Sequence, residues 1–187
     1  MEILILLGFL GLLILLPLAY GIGQYNGFVT LRNQIREAWS NIDTELKRRY
    51  ELIPNLVAVV KGYAAHERAV FERVTEIRSR CLANQGSPAN QAVDENQLSQ
   101  ALGGLLAVVE NYPELKADAH FLKLQVELTN TEDRIQAARR FYNGNIRDYR
   151  NKFESFPTNL IAAAFHFEPE TFLEIESAVR ALPEVKI

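Results

Sequence analysis

The chain has a single cysteine, Cys81, among its 187 residues, so no disulfide can close within it. That fits a reducing compartment. No cysteine lies in the first 80 positions, which excludes an anchor built on an N-terminal lipidated thiol. Basic charge is scarce too. Twenty Lys and Arg face 23 Asp and Glu, a formal net charge of −3, and this gives no global basic field for nucleic acid. Lys47-Arg48-Arg49 and Arg139-Arg140 are short clusters that read as solvated helix faces, the first within reach of lipid headgroups. There is no Gly-rich phosphate loop. Gly103-Gly104 falls inside a helical pattern and reads as a point of close packing. Finally, Ile3 to Gly23 carries no charged side chain at all.

That uncharged run predicts a membrane anchor. As a helix its 21 residues reach roughly 32 Å, the thickness of a bilayer's hydrocarbon. It has no polar stripe of the kind a core helix of that length carries. Pro17 near its C-terminal third is tolerated in a membrane, and Tyr20, Tyr25 and Phe28 suit the interface. The rival reading is a signal peptide, with small residues at Ala19-Tyr20-Gly21. Against it, Met1-Glu2 supplies an acidic side chain and no Lys or Arg. No basic residue precedes the run, while Arg32, Arg36, Lys47, Arg48 and Arg49 follow it. The positive-inside bias therefore places the N-terminus outside and the main domain in the cytoplasm.

Beyond the anchor, roughly 160 residues suffice for one domain with a real core. Phe28, Ile35, Ile42, Leu56, Tyr63, Val70 and Ile77 recur every seven residues. Trp39, Leu46, Ile53, Val60, Val74 and Cys81 recur with them, offset by four. This is an a/d seam, broken by Arg49 on the first register and Glu67 on the second, which read as polar residues that specify register. Pro54 lies within the seam and removes a helical donor. The phase does not reset there, which favours a kink, while a turn with Pro54 opening a new helix stays open. Asn84 to Asp94 reads as a loop around Gly86 and Pro88. Asp94 is then a candidate cap, with Gln97 three residues on, for a stripe of Leu98, Leu102, Leu105, Val109 and Tyr112 that ends at Pro113. A third stripe runs Phe121, Leu128, Ile135, Tyr142, Tyr149 and Phe156, beside the smaller and more polar Leu124, Thr131, Ala138 and Asn145. Phe156-Pro157 stops it. A short amphipathic segment follows over Thr158 to Phe165, and another from Glu168-Pro169 to before Pro183. Aromatics at this spacing read as bundle core rather than as a cofactor cleft.

Chemistry finds little purchase. His66-Glu67 opens like a zinc-protease motif, but Val70 stands where the second histidine belongs. His66, His120 and His166 belong to different elements, with no ligand pair at helical spacing. Glu127 and Glu132 are five apart and lack the histidine a di-iron bundle places at i+3. Cys81 has no nearby His and reads as a seam residue. No catalytic, cofactor-binding or metal residue is assigned, and no cofactor.

The order and spacing of several blocks resemble the LemA family. They include Tyr25-Asn26, Leu31-Arg32-Asn33, Ala38 to Asp43, Leu46 to Arg49, Leu52 to Val57 and Val60 to Glu67. Glu110 to Lys116, Phe121 to Gln125, Glu132 to Ile135, Ala138 to Asn143 and Phe156 to Ile161 continue the resemblance over nearly the whole chain. Arg150 departs from it, at a position where the family usually has Asn. The resemblance implies a bacterial protein of the inner (plasma) membrane, all-α, with one N-terminal transmembrane helix and an elongated antiparallel bundle of four up-and-down helices. It asks for a reversal near Pro54 and transfers no catalytic residue. The expected division is an anchor over 1–24, a bundle over 25–165 and a short helical segment and tail over 166–187.

Three functions are compatible with this. One is a membrane-tethered scaffold that self-assembles, with the lipid bilayer, further copies and other membrane proteins as partners and no nucleic acid. The second is a protein that organises or remodels membranes. The third is an enzyme with a site near His66 and Glu67.

Overall fold

The computed structural model describes residues 1–173; residues 174–187 lie outside the described part. Six helices and no strand occur among the described residues: α1 (Glu2–Tyr63), α2 (Arg68–Ala83), α3 (Pro88–Val109), α4 (Pro113–Lys116), α5 (Ala119–Glu154) and α6 (Thr158–Ala164). They form two compact units. One comprises residues 1–37 and 143–171, the other residues 38–142 with Phe172 and Leu173.

α1 is uninterrupted from Glu2 to Tyr63, through both Pro17 and Pro54. The family resemblance asked for a reversal near Pro54, and the structure has none there. The reason is a contact from α2. Pro54 has no N–H to offer the Tyr50 carbonyl four residues back. Arg78 on α2 replaces it, its Nε donating to that oxygen at 2.6 Å. The chain turns instead at Ala64 to Glu67, one residue after Gly62-Tyr63, where no proline stands. The Ala64 N–H still reaches the Val60 carbonyl at 2.9 Å, and that of Glu67 reaches Ala64 at 3.0 Å.

In the larger unit the helices pack antiparallel. Along α1 and α5 the paired residues run in opposite directions: Trp39 with Tyr142, Glu45 with Arg134, Arg49 with Glu132, Tyr63 with Asp118 at the cap of α5. α2 returns along α1 through Arg78. α3 returns along α2, with Asp94 held by Arg80 at 3.1 Å and by Asn84 at 2.6 Å. The expected seam is the core. Ile42, Leu46, Ile53, Leu56, Val60, Val74, Ile77 and Cys81 are buried together with Leu98, Leu102, Leu105, Phe121, Leu128 and Ile135.

Three local expectations are corrected. The loop after Asn84 is shorter than its composition suggested, because Ser87 caps α3 and Pro88 occupies its first turn. Asp94 therefore lies inside α3. Gly103 and Gly104 allow no close approach, since a Cβ at either would meet open space; Gly104 borders a cleft of about 340 Å³ with Val70 and Arg73. Tyr63, on the seam by period, is exposed and donates instead to Asp118 at 3.0 Å.

In the smaller unit, the large apolar side chains between Ile3 and Leu18 are all at least 51% exposed. α1 there is long and apolar enough to cross a bilayer. Lower on the same unit, Phe28 is buried edge-on to Tyr149 and stacked on Phe167. Lys152 lies over the Phe28 ring at 5.1 Å and against the bare backbone of Gly27, where a side chain would displace it. Just past α6 stands His166, whose φ of 53° is left-handed. The His166 and Phe167 N–H groups donate back to Ala163 and Ala162, the Schellman pattern that turns Phe167 onto Phe28. Phe156, expected to close the third stripe, lies beyond α5 and is 81% exposed. Residues 168–173 are not helical; the rest of the segment expected up to Pro183 lies outside the described residues.

Candidate functional site

The densest polar site is buried inside the larger unit. Arg49 occupies a seam position of α1 and is 0% exposed. Its Nη1 donates to Glu132 Oε1 on α5 at 2.8 Å and lies 3.5 Å from Ser99 Oγ on α3. Its Nη2 pairs with Glu95 Oε2, also on α3, and the other oxygen of Glu95 accepts the hydroxyl of Tyr50. Three helices thus meet on one guanidinium.

Local sequence puts each group there. Glu95 lies three residues before Leu98 and seven before Leu102, so it shares their inward face. Ser99 follows one turn later. Glu132 sits between Leu128 and Ile135 at helical spacing, beside the buried Thr131, whose hydroxyl returns to the Glu127 carbonyl at 2.8 Å. A charge buried alone costs several kcal/mol, whereas a fan-shaped guanidinium can satisfy two carboxylates at once. Burial, reinforced by the nearby Cys81 thiol, pushes the Tyr50 phenol well above its ordinary range, so it remains an O–H donor to Glu95.

This arrangement ties α1, α3 and α5 together through buried, paired charges. The apolar cleft between α2 and α3 holds none of its residues, and every charged group in it is already paired with another. Arg49 was legible from sequence as a polar break in the seam; Glu95 and Glu132 were not singled out as its partners.

The other residues weighed from sequence do not converge. His66 is exposed in the turn between α1 and α2, with Glu67 half-buried beside it. His120 is exposed in the first turn of α5, and His166 lies just past α6 in the smaller unit. Among the described residues no three His, Cys, Asp or Glu side chains lie close enough to hold a metal ion. Cys81 is buried, and burial pushes its thiol up to about 11.

Comparison with known proteins gives one family. The LemA family model matches residues 38–187. Protein LemA of Metamycoplasma hominis is 30% identical over 142 residues, covering 75% of this chain and 64% of that protein. Magnetosome protein MamQ 2 of Paramagnetospirillum magneticum is 26% identical over 180 residues, covering 83% and 66%. Magnetosome protein MamQ of Magnetospirillum gryphiswaldense is 25% identical over 170 residues, covering 78% and 62%. The chain spans just under two thirds of the length of these curated relatives.

Proposed function

The chain belongs to the LemA family, and from that premise we propose that it is a membrane-anchored helical scaffold that self-assembles and acts through packing rather than through a reaction. The observation that carries this is α1, a single helix bearing both an exposed apolar run and a seam whose faces are buried. The apolar run belongs in a bilayer because leaving that many large side chains in water is strongly unfavourable. Basic residues follow it closely, which favours the N-terminal side of the run outside and the larger unit in the cytoplasm, and the bacterial relatives favour a bacterial plasma membrane. Phe141 stands exposed on α5 and offers an apolar contact to a second copy or another membrane protein. Anchoring confines copies to two dimensions, so weak contacts suffice.

Crosslinking in native membranes tests the assembly: a ladder of oligomers is expected, and monomer alone refutes it. Orientation is read by placing a reporter thiol at Glu72, exposed on α2, and labelling intact cells. Buried Cys81 gives a silent background. Labelling only after lysis is expected. A second reading, membrane organisation or remodelling, draws on the relatives named as magnetosome proteins. Vesicles that keep their shape at high protein density count against it.

A further inference from the structure

Among the described residues, α6 carries an apolar face that no element covers. Between Glu154 and Glu168 the chain has no acidic residue, Lys or Arg. Thr158 and Ala162 bury one side of the helix. Leu160, on the opposite side, is 58% exposed, and Phe156 and Phe165, which flank the helix, are 81% and 56% exposed. Large apolar side chains clustered this way on a surface mark a contact site.

What lies beside them says which contact. Ile161 comes within 3.8 Å of the Cβ position of Gly21, and the Phe165 ring packs on Tyr25 with centroids 4.8 Å apart. Together with Pro17, Leu18 and Ile22 these residues line an open apolar cleft of about 370 Å³. The exposed face of α6 is therefore continuous with the C-terminal end of the apolar run of α1. It sits at the level of Tyr20 and Tyr25, where aromatic side chains meet a membrane surface. Below it, Arg32 lies over the Phe167 ring and Lys152 over Phe28. Long basic side chains at that depth extend toward lipid phosphates.

We propose that α6 is a second membrane contact. Phe156, Leu160 and Phe165 seat in the boundary between headgroups and acyl chains, and lipid acyl chain fills the cleft against Pro17 and Ile22. The proposal rests on the reading of α1 as a membrane span. It adds that the membrane-proximal unit lies on the leaflet surface rather than hanging from a single helix.

The test uses the full chain in vesicles of phosphatidylcholine and phosphatidylglycerol. Trp39, the sole tryptophan, is replaced (Trp39→Phe), and single tryptophans are introduced as Leu160→Trp or Phe156→Trp. Leu10→Trp in the apolar run and Val126→Trp on exposed α5 are the references; helical circular dichroism checks folding. Acyl-brominated lipid quenching is expected at 160 and 156, with acrylamide quenching about threefold weaker than at 126, as for an interfacial helix. If position 10 escapes lipid quenching, the span reading falls and this proposal with it. If position 10 is quenched while 160 and 156 behave like 126, the proposal alone is overturned. Protection from acrylamide without lipid quenching also overturns it, in favour of a second copy covering α6.

Discussion

The contact between Arg78 and the Tyr50 carbonyl makes a sharp prediction, because it exists to fill the gap that Pro54 leaves. Arg78→Met keeps an unbranched stem and removes the donor. A hydrogen bond from a charged donor contributes about 1.5–3 kcal/mol, and an oxygen left without a partner loses much of that. Arg78 is only half-buried, so water recovers part, and the lower end, about 1.5 kcal/mol, is expected. In a Pro54→Ala background, residue 54 has an N–H that reaches Tyr50 along the helix. Arg78→Met should then cost about 0.5 kcal/mol, which leaves a coupling near 1 kcal/mol. Equilibrium unfolding of the four proteins in detergent micelles measures it. Trp39 is the reporter, since its ring packs on Tyr142 in the same unit at 5.9 Å. Additivity within about 0.5 kcal/mol refutes the reasoning. So does a coupling that disappears in high salt, because a peptide carbonyl carries no net charge to screen and only an ion pair of Arg78 with a carboxylate would behave that way.

Other outcomes follow from the same packing. Arg49→Met leaves Glu95 and Glu132 buried without their cation and should cost about 3–5 kcal/mol, whereas Arg49→Met with Glu95→Leu and Glu132→Leu should recover most of it, both read by chemical unfolding. Gly104→Ala should stabilise α3 by about 0.5–1 kcal/mol, since the new methyl meets open space; a loss of stability would contradict the open cleft. Asp118 caps α5, and the Phe121 N–H, with the Tyr63 hydroxyl, holds its carboxyl below the usual carboxylate value. A lowered value means that the cap's stabilisation is present above about pH 4 and is lost as pH falls through the folded value. Asp118→Asn keeps a cap, so the gap in melting temperature between it and the parent should close on acidification; a gap independent of pH would rule the carboxylate out.

How far the sequence reached depends on which positions a period can speak for. Helical spacing fixes a face, so it placed Phe28, Ile35, Ile42, Leu46, Ile53 and Val60 in the interior without any knowledge of partners. It does not fix continuity. Unbroken phase favours a helix running through Pro54, and the helix does so. Yet Val60, Val74 and Cys81 keep the same phase across the true break at Ala64 to Glu67. Two antiparallel helices can face one core at compatible spacings, so phase alone does not separate a kink from a turn. What decides Pro54 is Arg78, twenty-four residues on, and that contact is tertiary. The charged cluster shows the same limit. Arg49 was visible as the wrong residue on an apolar register. Glu95 was hidden by the expected helix start at Asp94, which put it in a solvated first turn. Glu132 was weighed only against Glu127 as a metal ligand. Each acid nevertheless sits in phase with its own helix's apolar stripe, as Arg49 does, and with the opposite sign. Three charges in phase with three seams cannot each be buried alone. Complementary polar breaks on separate apolar stripes therefore carry pairing information that no single stripe contains.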